Sequence, residues 1–232
     1  MSVPILIYMS STPSPFWYID RSAGEVTILL MSAVVILGIM RSAIPAAWPF
    51  VVEGIHRRLA LLAIAFGGLH VVASLLDPYA NLGPLDALVP FISSYRATWL
   101  GLGVVSAYIY LAVALSSWPV RRLGRTWWRW LHRTTYLAWA VAMVHTLGTG
   151  TDARNNVFLV LNIAAVAGVL TAFLGYRIYD EAQPVTPARA LAGIAGLAAV
   201  ALIAFWAFNG PLQPGWARVS GTPPGLIRSL QP

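Results

Sequence analysis

The chain has 232 residues, of which 58% are hydrophobic and only 10% are charged, and its mean hydropathy is +0.71. Since an ordinary soluble domain carries about 25% charged residues, this composition excludes a soluble globular protein. Cysteine is absent, which excludes disulfide frameworks, thiolate metal sites, iron–sulfur clusters and cysteine nucleophiles. The net charge of +7 comes from 15 basic residues, all of them arginine, against eight acids. In so apolar a chain this charge favours a membrane surface over nucleic acid as the partner.

Six apolar runs are long enough to cross a bilayer, because a membrane helix needs about 20 apolar residues. In chain order the runs are Ser22–Met40, Leu59–Leu76, Thr98–Trp118, Trp130–Leu147, Val157–Tyr176 and Ala188–Phe208, and we expect the second and fourth to begin a turn earlier. The connections between them are too short for an independent domain, which needs about 50 residues. The sequence therefore predicts an all-α integral membrane protein with a six-helix transmembrane bundle.

The arginines are divided unequally between the two ends of these helices. Ten lie at one set of ends (Arg41, Arg57, Arg58, Arg121, Arg122, Arg125, Arg129, Arg133, Arg177 and Arg189) and five at the other (Arg21, Arg96, Arg154, Arg218 and Arg228). Short cytoplasmic loops retain arginine, so the first set is expected in the cytoplasm and both termini outside. The use of arginine alone favours a GC-rich bacterial genome, and hence a bacterial cytoplasmic membrane.

Four histidines form two pairs of similar spacing. His56 and His70 are 14 residues apart on the second predicted helix, and His132 and His145 are 13 apart on the fourth. At 1.5 Å per residue each pair spans about 20 Å, so His56 lies level with His132 and His70 with His145. Thirteen steps of about 100° leave the second pair about 140° apart around an ideal helix. The fourth helix is therefore locally distorted, or its histidines reach their partners from different sides.

Two facing histidines suit a haem iron, which accepts one imidazole on each face and then exchanges electrons without binding oxygen directly. Two such groups stacked in depth would bridge most of the bilayer. A lone intramembrane histidine is often only a hydrogen-bond partner in helix packing, but here every histidine falls into a depth-matched pair. Zinc needs three or four converging ligands, which pairs so far apart in depth do not supply.

The segments Gly54–Leu59 and Trp128–Arg133, each with a second histidine 14 or 13 residues further on, resemble the ferric reductase-like transmembrane domain shared by NADPH oxidases and ferric reductases. The resemblance covers residues 22–177. It implies a helical bundle holding two b-type haems, with His56 and His132 as ligands of the cytoplasmic haem. The outer haem would then be held by His70 and His145.

Oxidases and eukaryotic ferric reductases of this family continue into a cytoplasmic flavin and nicotinamide dehydrogenase domain. Here the chain crosses the membrane again within residues 178–208, and no G-x-G-x-x-G fingerprint stands where it would matter. We therefore expect an oxidoreductase component whose electrons come from a separate cytoplasmic flavin-dependent reductase or from quinol. The outer acceptor would be a ferric chelate, oxygen or an exported periplasmic flavoprotein.

Several further residues are candidates for cofactor contacts. Arg57, Arg129 and Arg133 at the cytoplasmic ends, and Arg96 in an outer loop, suit anionic haem propionates, although topology, lipid phosphate or an ordinary loop charge would also explain them. Trp139 lies between the two histidines of its helix and is a candidate inter-haem aromatic residue, with core packing as the alternative.

The two segments outside the predicted bundle are residues 1–21 and the Pro-rich tail, residues 209–232. We expect the tail outside the cell membrane, either docked on the bundle or on a partner, or disordered. Two other functions compete with the electron conduit: a quinone-reactive cytochrome b anchor subunit of a larger oxidoreductase, and a haem-free transporter or structural membrane protein. A nucleic-acid binder is excluded because the basic residues lie at membrane edges.

Overall fold

A computed structural model describes residues 14–41, 49–117, 124–150, 153–177 and 186–224. Within these ranges the chain forms helices α1 (Pro15–Met40), α2 (Pro49–Leu76), α3 (Pro84–Leu88), α4 (Ala97–Ser117), α5 (Arg125–Arg133), α6 (Thr135–Thr149), α7 (Asn156–Arg177), α8 (Pro187–Asn209) and α9 (Trp216–Val219). Five of them, α1, α2, α4, α7 and α8, are long and apolar enough to cross a membrane. The predicted all-α, multi-pass membrane protein is therefore confirmed.

The helix boundaries depend on capping as well as on hydropathy. The first helix begins at Pro15 rather than at Ser22, because Ser14 acts as its N-cap and accepts the Trp17 amide proton at 3.1 Å. Likewise α2 begins at Pro49, well before Leu59. The polar residues that interrupt the apolar runs, such as Asp20 in α1 and Arg58 in α2, thus lie within the first three turns of these helices. The other single-helix spans match their predicted limits to within one residue.

The fourth predicted span is interrupted at Thr134, which separates α5 from α6. The Thr134 amide bonds to the Leu131 carbonyl at 3.0 Å, a tighter turn than an α-helix makes. Hydroxyl groups also donate to backbone carbonyls at the break. Thr134 Oγ1 donates to the Leu131 carbonyl at 2.6 Å, and Thr135 Oγ1 donates to the His132 carbonyl at 2.7 Å. The local distortion expected from the 13-residue histidine spacing is thus present between His132 and His145.

The first helix is at the centre of the molecule. It packs against α2, α6 and α7, while α4 packs against α6 and α8 against α7. Buried side chains of these helices form one apolar core, which includes Ile28 and Ile39 of α1 and Met143 of α6. Large apolar side chains such as Phe50 and Phe205 are 88% and 70% exposed, as expected for helices that face lipid.

The bundle has two chemically different ends. At the arginine-rich end, defined by Arg41, Arg57, Arg129 and Arg133, Arg41 of α1 forms a salt bridge with Glu53 of α2 at 3.2 Å. At the tail end, defined by residues 77–96 and 210–224, the chain after α8 folds back onto the bundle.

A tryptophan cluster attaches this returning segment. The ring of Trp99 lies 5.0 Å from that of Trp206 and 5.4 Å from that of Trp216, and Trp216 Nε1 donates to the Gly148 carbonyl at 2.9 Å. The part of the predicted tail before residue 225 is therefore packed on the bundle. Residues 225–232 lie outside the described residues, as do most of residues 1–21.

Candidate functional site

The four histidines lie in two pairs between the central helices. The ring centroids of His56 and His132 are 6.1 Å apart with planes inclined at 52°, and those of His70 and His145 are 6.2 Å apart with planes inclined at 76°. The first pair is at the arginine-rich end and the second at the tail end. The structure thus brings each histidine to the partner on the other helix that the sequence predicts.

The separation within each pair fits one metal ion. Metal-bound imidazole nitrogens lie about 2.0 to 2.1 Å from the ion, so two imidazoles on opposite sides of it have ring centroids about 6 Å apart. Among the described residues, no group of three or more histidine or acidic side chains is placed to hold a metal ion. Each pair therefore suits an ion whose other ligands belong to a carrier, as the four pyrrole nitrogens of haem do.

At the tail end both histidines have hydrogen-bonded Nδ1 atoms. His70 Nδ1 lies 2.9 Å from the Asp20 carbonyl oxygen, and His145 Nδ1 lies 2.8 Å from that of Trp99. The Thr149 hydroxyl lies 3.3 Å from the same His145 nitrogen. A carbonyl can only accept, so Nδ1 carries the proton in both rings and Nε2 keeps its lone pair for a metal.

At the arginine-rich end the corresponding nitrogens are held less closely, although the Val34 backbone lies near His56. The Nδ1 atoms of His56 and His132 are buried, and neither forms a hydrogen bond of ordinary geometry with the described residues. Instead, Trp128 stacks on His132 with ring centroids 4.8 Å apart and planes inclined at 25°. The Trp128 Nε1 donates to Ser117 Oγ at 3.4 Å. His132 is therefore oriented mainly by ring packing.

Glycines make room for three of the four rings. A Cβ at Gly24 would lie 3.0 Å from His70 Nδ1, and one at Gly103 would lie 2.6 Å from His145 Nδ1. At Gly38 the nearest atom, His56 Cε1, would be 3.5 Å away, which is an ordinary contact. The rings at the tail end thus fit against helix backbone more closely than the ring of His56 does.

Trp139 lies on α6 between the two levels and is buried. Its Nε1 donates to Ser32 Oγ at 2.8 Å, and Ser32 Oγ donates in turn to the Ile28 carbonyl at 2.7 Å. These bonds connect α6 to α1. The indole is held in one orientation within the core between the two histidine pairs.

The predicted propionate partners fall into two groups. Arg57, Arg129 and Arg133 are exposed at the arginine-rich end, where the Arg133 guanidinium lies 5.0 Å from the Trp130 ring centroid. Thr126, Arg129, Trp130 and Arg133 line a shallow pocket there. These cations are accessible to an anionic group.

Arg96 differs from these three, because it is 1% exposed. Its Nε donates to Thr222 Oγ1 at 2.8 Å, and its Nη1 donates to the carbonyls of Thr149 and Gly148 at 2.7 and 3.3 Å. Its amide donates to the Gly221 carbonyl at 3.0 Å. Two of its three guanidinium nitrogens are thus used to connect the returning tail to the end of α6.

Two tyrosines adjoin Arg96 in the loop before α4. The Arg96 guanidinium lies 5.4 Å from the Tyr95 ring centroid, and the rings of Tyr95 and Tyr79 are 6.3 Å apart. Burial raises the pKa of both phenols. Both tyrosines therefore stay neutral beside the buried cation.

Sequence reasoning did not find the groups that hold the histidines at the tail end. Asp20 and Trp99 act through backbone carbonyls, which have no residue signature in a sequence. The available signal was the position of Gly24 and Gly103, each four residues after one of these carbonyls and on the same helix face.

The fold and the site together define an all-helical, multi-pass membrane protein with two histidine pairs between its central helices. The model of the family "ferric reductase like transmembrane component" matches residues 23–143, more than half of the chain, and the chain belongs to this family. The matched region contains His56, His70 and His132 and ends just before His145. The family predicted from the histidine segments is therefore confirmed.

Two curated relatives carry the same name. The chain is 28% identical over 171 residues to the protein-methionine-sulfoxide reductase heme-binding subunit MsrQ of Ralstonia nicotianae, an alignment that covers 72% of each chain. It is 26% identical over 136 residues to the protein of that name from Herminiimonas arsenicoxydans, which covers 57% of this chain and 58% of that one. No solved structure matches the chain significantly.

Proposed function

We propose that the chain is a six-span, di-haem b-type cytochrome that carries electrons across the membrane from the arginine-rich end to the tail end. The observation that carries this proposal is the presence of two histidine pairs, each with a ring separation of 6.1 or 6.2 Å that one metal ion fits. The names of the two relatives, both described as heme-binding subunits, support the choice of haem. Haem iron with two imidazole ligands supplies one-electron transfer without opening a site for oxygen.

The sixth span of this proposal consists of α5 and α6 together. They have 9 and 15 residues, and at 1.5 Å per residue the combined segment is about 36 Å long, enough to cross the hydrocarbon layer. Residues 22–177 then hold both sites, α8 is the additional span, and residues 209–232 form the tail. The excess of arginine supports a cytoplasmic position for the arginine-rich end.

In this arrangement the side chains of the protein bind and orient rather than react. The four Nε2 atoms would hold haem iron, His56 with His132 on the cytoplasmic side and His70 with His145 on the outer side. The Asp20 and Trp99 carbonyls fix the tautomers of the outer pair. Trp139 fills the space between the two levels with a rigid aromatic ring, which excludes water from the path.

Arginines are proposed to hold the propionates. Exposed Arg57, Arg129 and Arg133 are suited to bidentate contacts with carboxylates at the cytoplasmic end. Arg96 is assigned the same role at the tail end, where one guanidinium nitrogen remains after its bonds to the tail and to α6.

The electron acceptor is proposed to be an exported partner that reduces methionine sulfoxide in proteins, the reaction given in the names of both relatives. Reducing a sulfoxide to a thioether takes two electrons and two protons and releases water, so the chain would deliver two electrons one at a time. The donor is proposed to be a cytoplasmic flavin-dependent reductase or quinol. Adding each donor separately to the purified protein and following the haem spectrum distinguishes them.

Haem counting in paired histidine variants tests the proposal. The wild-type chain should bind two haems with low-spin, b-type reduced-minus-oxidised spectra, and each single His→Ala variant should lose about one. The double variant His70→Ala/His145→Ala removes both ligands of one site and should keep one haem. The matched control, His56→Ala/His70→Ala, removes one ligand from each site and should keep none.

Equal haem loss in the two double variants would contradict the assigned pairing. A wild-type chain that purifies folded but colourless from cells with adequate haem would contradict the cytochrome itself. That result would favour the haem-free transporter or structural protein, in which the histidines serve helix packing.

A further inference from the structure

Asp20 lies where its charge can act on one of the tail-end histidines. Its carbonyl is 2.9 Å from His70 Nδ1, and its buried carboxylate Oδ1 lies 2.8 Å from the same nitrogen as an ion-pair contact without hydrogen-bond geometry. The side chain of Asp20 is 21% exposed and that of His70 is 29% exposed, so solvent screens the pair only in part. One residue thus offers His70 both a hydrogen-bond acceptor and a negative charge.

The close approach depends on Gly24, one helical turn after Asp20. A Cβ at position 24 would lie 3.0 Å from His70 Nδ1 and 3.2 Å from its Cε1. Residues four apart share a helix face, so a side chain there would cover the Asp20 carbonyl. The pairing of Asp20 with Gly24 is therefore a built feature of α1 rather than an accident of a flexible side chain.

The other three histidines lack a comparable charge. His145 Nδ1 meets the neutral Trp99 carbonyl and the Thr149 hydroxyl. His132 Nδ1 has no hydrogen-bond partner among the described residues, and the group beside His56 is the neutral Val34 backbone, with no hydrogen bond of ordinary geometry. Only the His70 imidazole is thus paired with an acidic side chain within the described part of the chain.

A hydrogen-bond acceptor on the outer nitrogen of a metal-bound imidazole fixes the ring orientation, which is the role of the Asp20 carbonyl, and a negative charge beside that nitrogen makes the ligand more basic. A more basic ligand stabilises the ferric over the ferrous state and so lowers the reduction potential. We propose that Asp20 is a positioning residue for His70, and that its carboxylate lowers the reduction potential of the tail-end site selectively. This inference rests on the proposed di-haem function.

The test compares Asp20→Asn and Asp20→Ala with the wild type by potentiometric titration of purified protein and by low-temperature EPR. Both variants keep the backbone carbonyl and lose the charge. Asp77→Asn is the matched control: Asp77 is buried at the same end, but its carboxylate accepts a hydrogen bond from Ser14 Oγ at 2.7 Å. His145→Ala and His132→Ala each remove one site, so that only the transition of the other site remains. Comparing the two variants assigns the shifted transition to the tail-end site.

In both Asp20 variants we expect one of the two reduction potentials to rise by about 59 mV, which corresponds to a change of about tenfold in the equilibrium constant for one-electron reduction. The other transition should stay in place, and Asp77→Asn should change neither. Loss of the tail-end haem alone in the Asp20 variants, with Asp77→Asn still binding two, also supports a positioning role.

Unchanged transitions and EPR signals in fully loaded Asp20 variants would overturn the inference while leaving the cytochrome intact. An equal shift in Asp77→Asn would also overturn it, since any negative charge at that end would then suffice. A wild-type chain without haem contradicts the proposed function itself, so the two failures are distinguishable.

Discussion

The two histidine pairs have nearly equal ring separations and different surroundings. At the tail end, backbone carbonyls of Asp20 and Trp99 hold both rings from behind, and glycines let the rings lie against the helices. At the arginine-rich end, neither Nδ1 forms a hydrogen bond of ordinary geometry within the described residues, although the Val34 backbone lies near His56, and Trp128 packs against the His132 ring. The tail-end pair is thus held by hydrogen bonds of ordinary geometry, and the other pair depends more on packing. We therefore expect the two sites to differ in their tolerance to substitution.

This difference has a functional meaning if electrons enter at one end and leave at the other. The arginine-rich end is open, with exposed arginines and tryptophans that can meet a donor or lipid. The tail end is covered by the returning segment, which Arg96 and the tryptophan cluster attach. We expect substitutions at the tail end to reduce haem binding and stability more than equivalent substitutions at the arginine-rich end.

The largest effect is expected for Gly103→Ala. Its Cβ would lie 2.6 Å from both Nδ1 and Cε1 of His145, so the ring must leave its place. Overpacking of this kind costs about 1 to 3 kcal/mol, and here it also removes the bond to the Trp99 carbonyl. Haem per chain should fall from two to about one. Thermal unfolding in detergent measures the accompanying loss of stability.

Two alanine variants control for this change. Gly38→Ala places its Cβ 3.5 Å from His56 Cε1, an ordinary contact, and should keep both haems. Gly175→Ala on α7 meets no atom within 4 Å and should behave as the wild type. If Gly38→Ala lost as much haem as Gly103→Ala, the proposed contrast between the two ends would be wrong.

A smaller effect is expected for Arg96→Ala. The change removes a buried guanidinium and leaves the Thr149 carbonyl without its donor, while the Gly148 carbonyl keeps its bond from Trp216 Nε1; we expect a cost of about 2 kcal/mol. Limited proteolysis should then cleave the segment after α8 faster, while Thr222→Val, which removes only one acceptor, should have a weaker effect. Cleavage rates equal to those of the wild type would show that Arg96 does not hold the tail.

A still smaller change is expected for Trp139→Phe. It keeps an aromatic ring but loses the bond to Ser32 Oγ, a cost of about 1 kcal/mol. Ser32→Ala should cost a similar amount, and the double variant should be less destabilised than the sum of the two. Strict additivity in thermal unfolding would contradict a direct coupling between these side chains.

The smallest effect is expected for Trp128→Leu at the arginine-rich end. Loss of the stacked ring should cost about 0.5 kcal/mol and alter the EPR signal of one site, because His132 is free to rotate. Both haems should be retained. Loss of the haem in this variant would show that ring packing holds His132 as firmly as hydrogen bonds hold the tail-end pair.

The spans and the histidine levels were predictable because hydrophobic length and residue rise are properties of a single helix. The interruption at Thr134 agrees with one of the two alternatives that the histidine spacing predicted, since 13 residues do not return an ideal helix to one face. The early start of α1 was missed because Asp20 and Arg21 end the apolar run, although Ser14-Pro15 is an N-cap signal.

Other features depend on tertiary contacts that a pattern of residue types does not contain. The carbonyl of Trp99 looks like any other carbonyl in the sequence, and only the approach of α6 makes it a partner of His145. Arg96 was predicted as a cation facing solvent or a cofactor. Its burial follows from the chain returning after α8, which places Thr222 against it from 126 residues away.

Electron transfer across a sealed bilayer requires both histidine pairs to lie on one path through the protein. Liposomes containing the purified protein, loaded with ferricyanide, are supplied from outside with a membrane-impermeant reductant, and loss of ferricyanide absorbance is followed. We expect rapid loss with the wild type, and loss no faster than in protein-free liposomes with either His56→Ala or His70→Ala, because each removes one of the two levels. Equal rates for the wild type and both variants would contradict a path through two stacked histidine pairs.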